Sequence, residues 1–185
     1  MKLAPMNYHY LRYPIEKFLD KVERSPFDSI DLYCCAPQLN LFDYSLGSLL
    51  ELDKSIRRHN LKVMAMTPEN CVYPVNFCTQ NPLTRESSIR YYQRAVDTAQ
   101  FLECPAVQIS TGFGYFDMPR EDAWNYCRDS VGTLAAYAER KGVKLLLEEL
   151  KVTTTNVLIT SGDLARMIGE IGSPAVVGMV DMDQM

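Results

Sequence analysis

Apolar residues along this chain form two alternating kinds of cluster: short continuous runs of strand length and longer stretches at helical spacing. The runs are residues 3–10 (LAPMNYHY), 29–35 (SIDLYCC), 61–66 (LKVMAM), 105–110 (PAVQIS), 144–150 (KLLLEEL) and 176–181 (VVGMVD). Between the first two, Ile15, Phe18, Leu19 and Val22 follow Pro14, which suits a first helical position, and Ser25-Pro26 ends the helix. Leu49, Leu50, Leu52 and Ile56 mark a second helix over 46–59, with His59 read as an exposed terminal residue. Thr84 is expected to cap a third helix whose inner face is Ile89, Tyr92, Val96, Ala99 and Leu102. Pro119 opens the longest helix, past Trp124, Val131, Leu134 and Tyr137, and Lys141-Gly142 closes it. Ser161 is expected to cap the last, with Leu164, Ala165 and Ile168 inside.

Six strands and five helices in strict alternation predict parallel strands joined by helical crossovers, an α/β fold of the (β/α)8 TIM-barrel type. A closed barrel needs eight strands and typically about 250 residues. The 185 residues are therefore expected to form one incomplete TIM-barrel domain, strands one to six, short by roughly two βα units.

Composition narrows the function. The chain is 47% hydrophobic and 23% charged, with a formal net charge of -4, which suits a globular protein and gives no basic face for nucleic acid. No apolar run reaches the length of a membrane span and the N-terminus leads into no signal-peptide core, so the expected location is cytoplasmic. The six cysteines form no Cys-x-x-Cys pair, which favours reduced, buried thiols over a zinc or disulfide framework. Gly112-x-Gly114 lacks the spacing of a phosphate-binding loop. His9 is read as a structural histidine near the end of the first strand.

The candidate chemistry lies in two acids. The Leu-rich run 144–150 ends in Glu148 and Glu149, and the run 176–181 ends in Asp181. In a parallel barrel the C-terminal ends of strands carry the reacting groups, and two carboxylates on adjacent strands could hold one divalent cation. Alternation points Glu149 away from Glu148.

Thr67-Pro68-Glu69, Tyr73-Pro74-x-Asn76, Arg85-Glu86-Ser87, the LLLEEL strand, and Ser173-Pro174 leading into Met179-Val180-Asp181 together resemble the xylose-isomerase-like sugar epimerases. Within them the chain is most similar to the fructoselysine 3-epimerase group. The resemblance runs from the first helix to the last residue. It implies a TIM barrel whose C-terminal face binds Mn²⁺, or Co²⁺ or Mg²⁺, through a Glu, an Asp, a His and a second Glu. By position, Glu148 matches the first Glu and Asp181 the Asp; the other two ligands would lie beyond Met185. Several relatives carry a His three residues after the Asp, where this chain has Gln184.

The implied activity is a divalent-metal-dependent epimerase or isomerase of a keto-sugar or fructosamine, such as fructoselysine, working by proton abstraction next to the carbonyl through an enediolate. Glu148 would be both metal ligand and catalytic acid/base, and Asp181 ligand only. Glu69, Tyr73 and Asn76 are implied as substrate-binding residues. The 185 residues alone are expected to be weakly active or inactive, and the expected partners are a sugar and either a second copy or a complementing C-terminal segment. The alternative from a different class is a non-catalytic structural or binding subunit, or a gene fragment, that needs a partner chain to complete the barrel. A trinuclear-zinc DNA-repair endonuclease of the same superfamily is set aside, because two histidines cannot furnish its site.

Overall fold

A computed structural model describes residues 2–70 and 75–183 of the chain. Five strands alternate with the helices: β1 (Ser29–Cys34), β2 (Lys62–Pro68), β3 (Ala106–Ile109), β4 (Lys144–Glu148) and β5 (Val176–Met179). They form one sheet in the order β1-β2-β3-β4-β5, and every neighbouring pair is parallel. The helices are α1 (Ile15–Glu23), α2 (Leu46–Arg58), α3 (Pro82–Phe101), α4 (Arg120–Lys141) and α5 (Ser161–Ile171). When sheet order follows chain order without reversal, right-handed crossovers put every connecting helix on the same face. The sheet is thus an arc of a barrel wall, with one face against helices and the other turned inward.

Burial shows which residues face which way. Leu145 and Leu147 of β4, Val107 and Ile109 of β3, and Met66 of β2 are buried in the helical layer with Tyr92, Val96, Trp124, Val131 and Leu134. Gly178 of β5 also faces the helices, because a Cβ there would lie 3.2 Å from the Leu164 side chain. The alternate residues therefore look inward: Asp31 and Tyr33, Thr67, Gln108, Leu146 and Glu148, Val177 and Met179.

The expected first strand does not form. Residues 7–10 make a 3-10 turn, and Met6 keeps a single bridge to Asp31. The ladder continues through a side chain instead. Asn7 accepts from the Tyr33 N–H at 2.7 Å and donates to the Tyr33 carbonyl at 3.1 Å, so its amide replaces a strand residue. Pro5 supplies one carbonyl, which accepts from Asp31 N–H at 3.0 Å, but has no N–H to extend the pairing.

Two caps fall a few residues from where the sequence placed them. Asn81, followed by Pro82, caps α3 in place of Thr84, and Thr160 with Asp163 forms the capping box of α5 in place of Ser161. Ala165 is exposed and Met167 takes the inner position. His59 is buried rather than exposed: Nδ1 donates to the Ser55 carbonyl at 2.7 Å and Nε2 faces Asp20 at 3.2 Å. His9, conversely, is exposed on the 3-10 turn, its ring edge-on to Tyr8. Glycine is favoured at the end of α4, where Gly142 closes the helix in the left-handed conformation at φ 69°.

Candidate active site

β4 brings Glu148 to the inner face at the C-terminal end of the sheet, paired in register with Met179 of β5. Only 6% of Glu148 is exposed. Its Oε2 accepts from Gln108 Nε2 at 2.5 Å, a bond that crosses from β3. Burial pushes the Glu148 carboxyl up to about 7; the Gln108 bond opposes this, and the charges of Asp181, Glu149 and Asp31 add to it. All three of those charges are acids.

Asp181 lies two residues past β5, half-buried, close enough for its charge to act on Glu148. Its Oδ1 accepts the Asp183 N–H at 2.8 Å. The two acids that sequence singled out are therefore neighbours at the mouth.

A third interior acid escaped sequence reasoning. Asp31 sits on the inner face of β1, where Thr67 Oγ1 of β2 donates to both its oxygens, at 3.0 and 3.2 Å. Burial raises its carboxyl to about 6, against the lowering effect of the Thr67 bond. The signal was present: Asp31 in SIDLYCC and Gln108 in PAVQIS are polar interruptions of otherwise apolar strands.

Glu149, which alternation turns away from Glu148, is only 2% exposed. Neither of its oxygens has a hydrogen-bond partner among the described residues, and the same holds for Gln108 Oε1. Buried acceptor oxygens without donors are costly. Of these, Gln108 Oε1 belongs to the side chain that bonds Glu148, and the charges that raise the Glu148 carboxyl are those of acids. Hard oxygen donors in excess of positive charge are the chemistry a divalent ion fits.

The remaining candidates divide. Glu69 is buried just past β2, its N–H bonded to the Cys34 carbonyl at 3.1 Å and its own carbonyl accepting from Tyr91 Oη at 2.8 Å. Asn76 spends its amide on loop structure: Nδ2 donates to the Phe113 carbonyl and Oδ1 accepts from Cys78 N–H, both at 2.8 Å. That contact explains Gly112, at φ 84°, where a Cβ would meet Asn76 Oδ1 at 2.5 Å. Asn76 thus ties the loop after β2 to the loop after β3. Tyr73 and Gln184 lie outside the described residues.

Among the described residues, a separate group of ligating atoms within 4.8 Å of one another comprises Asp20, Glu23 and His59. It lies on α1 and the end of α2, with both acids exposed. No described helix is long and apolar enough to cross a membrane.

A family model described as xylose isomerase-like TIM barrel matches residues 19–185. Fructoselysine 3-epimerase of Shigella flexneri is 24% identical over 182 residues, covering 98% of this chain and 66% of that protein. The Escherichia coli O157:H7 protein of the same name matches to the same extent. The chain thus spans just under two thirds of these curated relatives. Among solved structures, D-psicose 3-epimerase from Clostridium cellulolyticum H10, determined with D-tagatose, superposes with a TM-score of 0.81 at 18% identity, covering 98% of this chain and 63% of that one. The 3-keto-D-glucoside 4-epimerase of E. coli gives 0.80 at 17% identity, covering 98% and 68%. At these identities the structural likeness establishes the fold.

Proposed function

The chain belongs to the xylose isomerase-like TIM barrel family, and from that premise we propose that it forms the first part of a divalent-metal-dependent epimerase or isomerase acting on a keto-sugar or fructosamine. The observation that carries this reading is the buried Glu148, bonded by the Gln108 amide and set beside the acids Asp181 and Asp31. Fructoselysine is the substrate favoured by the curated relatives' names.

Inverting a carbon next to a carbonyl means removing a weakly acidic proton and returning it from the other face. A base is most effective when its pKa lies near the working pH, and burial brings Glu148 to about 7. In our reading Glu148 takes the proton and Asp181 serves only as a ligand. The divalent metal, Mn²⁺ by preference or Co²⁺ or Mg²⁺, would be held by Glu148 and Asp181 and supplies Lewis-acid stabilisation of the negative charge developing on the sugar oxygens. Glu69 and Tyr73 are our candidates for contacts to sugar hydroxyls. For Asn76 we favour an indirect part, holding the mouth loops in place. A second acid/base group and the remaining ligands would come from the strands that close the barrel, carried by a longer chain or a complementing one. We place the enzyme in the cytoplasm, in keeping with the buried thiols of Cys34, Cys78, Cys104 and Cys127.

A second reading, a non-catalytic subunit, draws on the β5 edge. There Val177, Val180 and Met182 are exposed, a surface that another chain would cover.

Mn²⁺ calorimetry separates the readings when run on these 185 residues and on a barrel completed with C-terminal βα units. Weak binding by the first and micromolar or better binding by the second are expected. In the completed barrel Glu148→Gln should abolish it. Tight, stoichiometric binding by the 185-residue monomer would refute our claim that half the ligands lie elsewhere. No binding by either would remove the metal enzyme and leave the subunit.

A further inference from the structure

We propose that Gln108 is the positioning residue of Glu148: it holds one carboxylate oxygen and leaves the other as the ligating and proton-carrying atom. The inference builds on the metal-epimerase reading above and goes past it, to a residue on a different strand.

The geometry is specific. Gln108 reaches from β3 to β4, its Nε2 2.5 Å from Glu148 Oε2, with 5% of Gln108 and 6% of Glu148 exposed. Among the described residues this amide is the one hydrogen-bond donor to Glu148, so it alone fixes the rotation of the carboxylate. In register Gln108 pairs with Leu146, and Leu146 with Val177. On the β4 and β5 side the row across the inner wall is apolar, and a leucine at 108 would continue it there.

The cost of the amide supports a directed role. Gln108 Oε1 is buried with no partner among the described residues. An orphaned buried carbonyl destabilises the fold, so packing alone would favour an apolar side chain here. With Glu148 ionised the amide orientation is also fixed: turning it over would set Oε1 against the carboxylate oxygen. Residues that orient a ligand commonly change metal affinity by about 10–100-fold when lost.

The test uses Gln108→Leu and a swap, Gln108→Glu with Glu148→Gln, which keeps an amide–carboxylate pair but moves the charge to β3. Crystal structures of the metal-free proteins and binding of Mn²⁺ alone are compared with wild type in the completed barrel. In Gln108→Leu the Glu148 carboxylate should leave its wild-type position and Mn²⁺ affinity should fall about 10-fold or more. Its melting temperature should fall, because a buried Glu148 oxygen loses its donor. A packing role would also lower the melt but leave the Glu148 position and the affinity unchanged. An unmoved Glu148, or affinity within about twofold of wild type, overturns the proposal. Should Gln108→Leu fail to fold, the swap decides: it should fold and lose Mn²⁺, and wild-type binding by the swap overturns the proposal. Wild-type protein that binds no Mn²⁺, with Glu148 displaced in Gln108→Leu, would leave Gln108 as the positioning residue and refute the metal-epimerase reading instead.

Discussion

Two groups of acids in this molecule are built in opposite ways. At the barrel mouth Glu148 receives one amide donor and is surrounded by other acids, and burial raises it to about 7. On the outer wall between α4 and α5 each acid meets a cation. Arg166 bonds Glu170 and Glu121, both at 2.7 Å, while its guanidinium lies 4.1 Å above the Trp124 ring. Trp124 Nε1 donates to Glu170 at 2.7 Å, and that bond leads those holding the Glu170 carboxyl below its ordinary value. For Asp163 burial is the largest single influence and raises its carboxyl, yet the Arg120 contact at 2.7 Å together with the bonds from Ile159 and Thr160 brings it below the ordinary value. The outer acids are satisfied by the fold. The mouth acids Glu148, Asp181 and Asp31 sit among one another instead, the arrangement on which our proposed site rests.

The comparison can be broken most severely from the outer side. Trp124 is fully buried, so Trp124→Ala should cost about 3–5 kcal/mol in urea unfolding. It should also release Glu170, visible as a rise in that carboxyl's titration by NMR.

At the mouth the sign reverses. A raised carboxyl means the folded chain holds a proton that the unfolded chain has released, so stability falls as pH climbs from the ordinary carboxylate range through about 7. Glu148→Gln removes that dependence. It should stabilise the metal-free protein by up to about 3 kcal/mol at pH 8 and change little at pH 4.5. Urea titrations at the two pH values measure this, and a loss of stability at pH 8 would show that the carboxylate is already satisfied.

Glu149→Met removes two orphaned buried oxygens and should stabilise by about 1–3 kcal/mol. Arg166→Met drops two exposed ion pairs and the guanidinium over Trp124, so a loss of about 1 kcal/mol is expected, its ion-pair part shrinking at 1 M salt.

Much of this was legible in the chain. Parallel alternation, the strand limits near 29, 62, 106, 144 and 176, and the placing of Glu148 and Asp181 at strand ends all follow from the period of apolar residues. The caps slipped, because Asn81 and Thr84, or Thr160 and Ser161, offer equivalent oxygens and only the backbone decides between them. The first run failed as a strand for a reason that periodicity does not carry: Asn7 pairs with Tyr33 through its side chain. His59 was misjudged because burial at a helix end depends on a neighbour, here Asp20 of α1, which is remote in sequence.

The sequence by itself determined the alternation of strand and helix and the two terminal acids, since both are local: side-chain period and position within a run. Only the tertiary structure decided which polar residues share the interior. Asp31, Thr67, Gln108 and Glu148 come from four different strands, and no spacing along the chain encodes their meeting. Their electrostatics arise from that meeting. A carboxylate's charge becomes costly only when a folded wall excludes water from it and sets other acids, rather than a cation, nearby.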